Sequence, residues 1–285
     1  MITMNDLIIH ESMPNGVYHS KKDYISSSFV KQTLKHSVAK ALEPLEPSDA
    51  LVFGDQFHTY IEDVSEYKKR FKLLDDSDIV EEILTTPKRD GTFYKNAQMT
   101  GKYKSWLEEQ KASLSESQAF ISLDRHKSIV SMASSIHENE VLKDLMQGTE
   151  GYHPEWSFFT KQKDDYGLKY RIRPDLYTTI AEQVTGIYDW KTCGDSSFYA
   201  FKADFYKYAY DVQAVFYAWV LGVDPSLFKF VAVEKNYPYN CAVYGLSEDT
   251  IERAFEKMFA SLEKIADYKK TGYTGLAESK TLNLI

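Results

Sequence analysis

Cysteine is scarce: Cys193 and Cys241 are the only two in 285 residues. That excludes a disulfide framework, and the pair offers no zinc spacing, so a reducing compartment is expected. Basic charge is not in excess either. With 34 Lys and Arg against 42 Asp and Glu, the formal net charge is −8, which argues against one broad basic face that coats nucleic acid. A narrow basic groove around an acidic metal site stays compatible with it. No stretch approaches the length of a membrane span. The opening "MITMNDLIIHESMPNG" has no basic flank followed by an apolar run, as a signal peptide would. Internal repeats, low-complexity tracts and a convincing linker are also absent. These absences predict a cytoplasmic globular protein with no membrane association.

What is present is core material. Apolar residues make up 43% of the chain and aromatic residues 14%, with 21 tyrosines, ample for a sizeable core and incompatible with wholesale disorder. Helical periodicity dominates the first half. "ISSSFVKQTLKHSVAKALEP" opens on serines suited to capping, spaces Phe29, Val30, Leu34 and Val38 helically, and stops before Pro44. "SDALVFGDQFHTYIEDVSEY" predicts a second helix with Phe53, Phe57, Ile61 and Val64 on one side. Thr85 to Lys104 carries five basic residues against one acid and predicts an exposed loop. "SESQAFISLDRHKSIVSMASSIHEN" predicts a helix behind a Ser115-x-x-Gln118 capping box, followed by a shorter one to about Met146.

After Gly148 the pattern turns to strands: "EWSFFTKQ", "LKYRIRPDLYTT" and "TGIYDWKTC". A long helix from Ser197 to Gly222 follows, then strand-type "LFKFVAVEKN" and "NCAVYGLS". A last helix opens on Glu248 and Asp249 and closes at Lys269, Lys270 and Gly272, as its dipole favours. The organisation predicted is one domain over 1–285: a mainly helical part at 1–147, a sheet with a long helix at 148–246, and a C-terminal helix and tail at 247–285.

Charged residues inside the strand runs need a reason, because an unpaired buried charge costs several kcal/mol. Alternation puts Asp189 and Lys191 on one strand face with Trp190 opposite, and Asp175 lies on the preceding run. Two readings fit: an ion pair near a sheet end, or a Mg²⁺ or Mn²⁺ site built on carboxylate oxygens with a lysine beside the attacking water. By the same alternation Arg171 and Arg173 share the Asp175 face, either to contact phosphate or to pair with the acids. Gln213 and Tyr217 are four apart, hence on one helix face, and Tyr206 and Tyr210 extend that stripe. The stripe reads as packing at Tyr210, whereas the Gln213 amide needs partners: a DNA phosphate or the surroundings of Lys191.

Pro174-Asp175 followed by Asp189-Trp190-Lys191 resembles the P-D…(D/E)-x-K signature of the restriction-endonuclease-like nuclease superfamily. Gln213-Ala-Val-Phe-Tyr217 is similar to the Q-x-x-x-Y element of its RecB-like branch, and Gly54-Asp-Gln-Phe-His58 to the G-x-x-x-H element. "ISSSFVKQTLKHS" and "YRIRPD" resemble the RecE-like and lambda-type phage exonucleases, and the likeness covers most of Ile25 to Gly222. It implies an α/β fold, a mixed β-sheet flanked by helices with helical elaboration at the N-terminus. It implies Mg²⁺ as cofactor, two ions with Mn²⁺ substituting. Asp175 and Asp189 would be ligands, with Asp189 bridging, and His58 and the Trp190 carbonyl would complete the shell. Lys191 would position the water, with Gln213 and Tyr217 among the catalytic group. Glu155 would lie at the edge of the metal shell or be an exposed strand-end acid. Ser28, Arg171, Arg173 and Tyr206 are the expected DNA contacts, although Ser26 to Ser28 also suit a helix cap. The basic segments Lys21 to Lys40 and Lys88 to Lys104 would grip backbone.

The activity implied is exonucleolytic resection of duplex DNA ends, 5′ to 3′, for phage or prophage recombination or repair. A closed homo-oligomeric ring and a single-strand annealing recombinase are the implied partners, in a bacterial cytoplasm. Endonucleases and structure-specific nucleases of the superfamily are the alternative, and a non-catalytic DNA-binding module is a third reading that the intact Asp, Asp, Lys set opposes.

Overall fold

The structure is a computed structural model that describes residues 2–44, 46, 48–143 and 151–272. Two compact units emerge, one from the described parts of Met1–Asp49 and Ser135–Ile285, the other from Ala50–Ser134. The first opens with β1 (Leu7–His10), α1 (Asn15–Ser20) and β2 (Tyr24–Ile25). The run predicted as one helix from Ile25 is two, α2 (Ser27–Lys35) and α3 (Val38–Leu42). Ser26 caps the first by accepting from the Phe29 N–H, and Ser37 caps the second by accepting from Lys40 N–H. The second serine thus restarts the helix inside an unbroken apolar periodicity.

The second unit begins with α4 (Asp49–Glu62) and α5 (Val64–Arg70), again one predicted helix split by a capping side chain, Asp63. Strand β3 (Phe71–Leu74), α6 (Ser77–Thr85) and α7 (Gly101–Lys111) follow. The predicted loop therefore ends at Thr100, which caps α7. The helix expected from Ser115 starts eight residues late. Gln118 does accept from the Ser115 N–H, as in a capping box, but its amide donates to the Lys69 carbonyl. Residues Ala119–Ser122 instead form β4, paired in parallel with β3, before α8 (Leu123–Glu138). A short β-prone run won its partner in space over the local helix signal. The second short helix predicted to Met146 reaches residues outside those described; Val141 to Lys143 form a turn.

Back in the first unit, β5 (Tyr152–Pro154), β6 (Ser157–Thr160), β7 (Lys169–Ile172), β8 (Leu176–Ile180) and β9 (Gln183–Cys193) follow. Next come α9 (Phe198–Lys207), α10 (Tyr210–Leu221), β10 (Phe228–Glu234), β11 (Cys241–Tyr244) and α11 (Glu248–Thr271). Five strands form a mixed sheet in the order β11-β10-β9-β8-β5, and four a second sheet in the order β1-β6-β7-β2. β9 and β10 run parallel, as they must when a helical crossover, here α9 and α10, joins them. The mixed sheets flanked by helices are those the resemblance implied.

The run "LKYRIRPDLYTT", predicted as one strand, belongs to both sheets. It leaves the four-stranded sheet after Ile172 and enters the five-stranded one at Leu176. Pro174 has no N–H for either ladder, so the change of sheet falls there. The chain makes the reverse change between β5 and β6 at Glu155, a non-glycine residue with φ of 54°. The two crossings touch: Glu155 N–H donates to the Asp175 carbonyl at 3.2 Å.

The long helix expected from Ser197 to Gly222 is broken at Ala209, which sits in the left-handed region at φ 51°. Only the second piece is buried almost throughout. It packs on α2 and α11, over a core that includes Tyr170, Phe216, Phe228, Phe230 and Met258. Asp211, 1% exposed, anchors it by accepting from Lys257 Nζ of α11 at 2.6 Å. Lys257→Met strands that carboxylate and should lower stability by about 3 kcal/mol, read as a fall in the urea midpoint with unchanged m-value. Among the described residues no helix is long and apolar enough to cross a membrane.

Candidate active site

Asp189 lies in the middle strands of the five-stranded sheet, where its side chain is 3% exposed. Lys191, two residues on and on the same face, forms an ion pair with it, while Trp190 turns into the core on the other side. The ion-pair reading is thus realised in the protein as it stands. Burial alone would lower the Lys191 pKa, but Asp189, Tyr210 and Asp175 together raise it above its ordinary value. Lys191 is therefore held as an ammonium.

Asp175 is half-buried and sits in the crossing between the sheets. The β8–β9 ladder reaches the pair Leu176↔Tyr188, and beyond it the Trp190 N–H donates to Asp175 Oδ2 at 2.7 Å. One carboxylate is therefore tied to the backbone of the strand that carries the other. The close approach predicted for Asp175, Asp189 and Lys191 is present.

From α10, Gln213 donates through Nε2 to Asp189 Oδ1, and its Oε1 accepts from Lys31 Nζ of α2 at 2.7 Å. One helical turn on, the Tyr217 hydroxyl donates to the Arg173 carbonyl at 3.2 Å, next to Pro174-Asp175. Burial pushes its pKa well above the ordinary value, so it stays a hydroxyl. The predicted shared face of Gln213 and Tyr217 exists and looks onto the two aspartates from the same side. The predicted stripe does not continue through Tyr206, because the break at Ala209 puts that residue on α9. Tyr206 is 44% exposed, with Lys257 Nζ 5.5 Å from its ring centre. Tyr210, read as packing, also serves the site: Lys191 Nζ lies 4.8 Å and Lys31 Nζ 5.6 Å from its ring centre. Burial raises its pKa to about 12. Burial and the neighbouring Lys191 charge lower Lys31 to about 7.

The arginines differ from expectation. The change of sheet between Ile172 and Leu176 breaks the alternation that would have set them on the Asp175 face. Both are buried, and each guanidinium lies over the Tyr18 ring. Arg171 donates to the Tyr18 carbonyl. Arg173 donates to Ser157 Oγ and the Met13 carbonyl, each at 2.8 Å. These bonds go to the protein itself, while Arg171 Nε has no partner among the described residues. Arg173 does meet an acid, though not one of the two aspartates: its Nη1 lies 3.5 Å from Glu155 Oε2. Glu155 itself belongs to no strand; it is half-buried at the crossing. Ser28 is exposed in the first turn of α2, whereas Ser26 caps that helix and Ser27 is buried against Tyr217.

In the second unit, His58 lies on α4 with Nδ1 3.9 Å from Glu62 Oε1, one turn on. A Cβ at Gly54 would meet nothing within 4 Å among the described residues, so no contact among them calls for a glycine there. Sequence reasoning placed Lys31 only within the basic segment expected to grip backbone and did not foresee its contact with Gln213, because helical spacing does not say what a helix will face.

Two acids and an ammonium gathered in this way suit a hard divalent cation: the donors are carboxylate oxygens, and a cation would balance the buried charge that Lys191 now balances.

Residues 26–276 match the model of the PDDEXK-like domain of unknown function (DUF3799). Among solved structures, a candidate exonuclease from Eubacterium rectale aligns over 94% of this chain and 88% of its own at 14% identity, with a TM-score of 0.50. At that identity the likeness is one of fold. A phage-related exonuclease from Haemophilus somnus 129PT aligns over 68% of this chain and 94% of its own at 15% identity, with a TM-score of 0.30, too low to speak to fold. None of the curated proteins matches the sequence significantly.

Proposed function

Because the chain belongs to the PDDEXK-like family (DUF3799), we propose that it is a metal-dependent nuclease that shortens linear duplex DNA from its ends. The observation that supports this most is the meeting of Asp189 and Lys191, on the middle strand of the five-stranded sheet, with Asp175 from the crossing before β8, which is tied to the Trp190 N–H. Asp175, Asp189 and the Trp190 carbonyl are the groups of this unit that would hold Mg²⁺, with Mn²⁺ as substitute. The ion would supply water activation and neutralise charge developing on phosphate. Lys191, kept protonated by its acidic neighbours, orients the attacking water for in-line attack and offers a proton from Nζ. Gln213 holds the Asp189 carboxylate by its amide. Tyr217 steadies the Arg173 carbonyl, and through it the turn that carries Asp175, so both act as positioning residues.

The exonucleolytic direction of the proposal comes from the resemblance to RecE-like and lambda-type enzymes, as do polarity and assembly. Labelled linear duplex and closed circular DNA, each with Mg²⁺ or with chelator, form the test. Expected is loss of the linear substrate with Mg²⁺ only, the 5′ label leaving first and circles surviving. Digestion by metal-free protein in chelator would defeat the metal reading, and rapid cutting of circles the exonuclease reading. Mass in solution should report a closed ring, which would let so acidic a chain keep hold of DNA topologically; a strict monomer would contradict that part alone.

His58 enters by its motif. If that element serves the metal, His58→Ala should weaken Mn²⁺ binding roughly tenfold or more, measured by calorimetry. A large drop in metal-free melting temperature with unchanged Mn²⁺ affinity would mark His58 as packing instead.

A further inference from the structure

The Gln213 amide stands between two charged groups of opposite demand. On one side Asp189 Oδ1 can only accept, and takes the Gln213 Nε2–H. On the other, Lys31 Nζ donates to Gln213 Oε1 at 2.7 Å. A carboxamide can rotate by half a turn and exchange its oxygen and nitrogen at little intrinsic cost, so its direction is set by its partners. Here the Lys31 Nζ–H meets the oxygen and a carboxylate meets the nitrogen, and turning the amide over would set its nitrogen against the lysine donor and its oxygen against the carboxylate.

We propose that Lys31 is a positioning residue of the site: its Nζ–H donor locks the Gln213 amide in the orientation that donates to Asp189, and so fixes the carboxylate that would hold the metal. The inference rests on the nuclease reading above but adds to it a residue outside the P-D…(D/E)-x-K, Q-x-x-x-Y and G-x-x-x-H elements, on a different helix. The fold supplies the means. Ser26 caps α2 at its N-terminus, α2 packs on both α10 and α11, and Gln213 is 5% exposed. Water is thus poorly placed to take over the lysine's part. Without Lys31, no other charged donor among the described residues is bonded to the oxygen end, and the flipped amide sets Oε1 against Asp189 Oδ1.

A direct role in gripping DNA phosphate makes different predictions, which separates the two. In Lys31→Met, a side chain of similar length, Mn²⁺ affinity measured without DNA should fall about 10- to 100-fold, the scale for a lost partner of a metal ligand. At saturating Mn²⁺ the KM for DNA should stay within about twofold and the loss should appear in kcat. Gln213→Leu should produce a similar fall, and the double variant no further one, because Lys31 acts only through the amide. Lys31→Arg, which keeps a cationic donor, should recover most of the Mn²⁺ affinity and serves as the second variant if the methionine protein folds poorly. Wild-type Mn²⁺ affinity in Lys31→Met, or independent additive losses in the double variant, would overturn the inference while leaving the nuclease reading intact. Wild-type protein that binds no Mn²⁺ would overturn both.

Discussion

Lys191→Met is expected to lower turnover on linear duplex DNA by about 10³-fold while Mn²⁺ binding stays at the wild-type level or tightens. The lysine is not a ligand, so its removal takes away the group that orients water and donates a proton, and it also removes a cation that competes for Asp189. Single-turnover digestion and calorimetric titration measure the two effects separately. Mn²⁺ affinity that fell as far as in an Asp189 variant would contradict this division of labour. The same substitution has a second consequence in metal-free protein. Lys191 balances a carboxylate whose side chain is 3% exposed, and leaving that charge alone should cost about 3 kcal/mol, which added Mn²⁺ should restore by supplying the missing positive charge. Lys191 titrates above its ordinary value of 10.5 in the folded protein. Its contribution is therefore fully present below pH 10.5 and is lost only as pH rises through the higher folded value. Between pH 6 and 9 the stability difference between wild type and Lys191→Met should not change on account of this group.

Asp189→Asn should abolish both functions: no measurable Mn²⁺ binding at the aspartate pair, and turnover reduced by roughly 10³-fold or more. Asparagine keeps the shape of the side chain and an oxygen able to accept from Gln213, so the change isolates the loss of charge. Lys191 then has a neutral neighbour on its own strand, and burial, which already opposes its charged form, acts with less opposition. Its pKa should therefore fall relative to wild type, visible by NMR of the labelled lysine. Turnover within tenfold of wild type would remove Asp189 from the chemistry. Retained Mn²⁺ binding with lost turnover would move the metal to other ligands.

Much of this site was legible along the chain, and the reason is local. Residues two apart on a strand share a face, so Asp189 and Lys191 had to meet and Trp190 had to turn away. Residues four apart on a helix share a face, so Gln213 and Tyr217 had to look in one direction. Where the expectation went wrong, a local pattern was extended across a point at which the chain changes element. Arg171 and Arg173 were aligned with Asp175 through Pro174, where the chain changes sheet. Tyr206 was aligned with Gln213 through Ala209, whose left-handed backbone ends one helix and starts another. The helix drawn from Ser115 ran through Ala119–Ser122, which β3 recruits as a strand.

The sequence by itself determined the shared face of Asp189 and Lys191, which follows from residue type and strand periodicity, while the family and the mixed sheet were implied by the resemblance that its motifs carry. Only the tertiary structure decided what each charge faces. Lys31 and Gln213 are 182 residues apart and meet because α2 packs across α10. Arg171 and Arg173 close on Tyr18, on α1, and become part of the fold. A charged side chain reads alike in sequence whether it meets water, a carboxylate or an amide, and burial by elements distant in the chain selects among them.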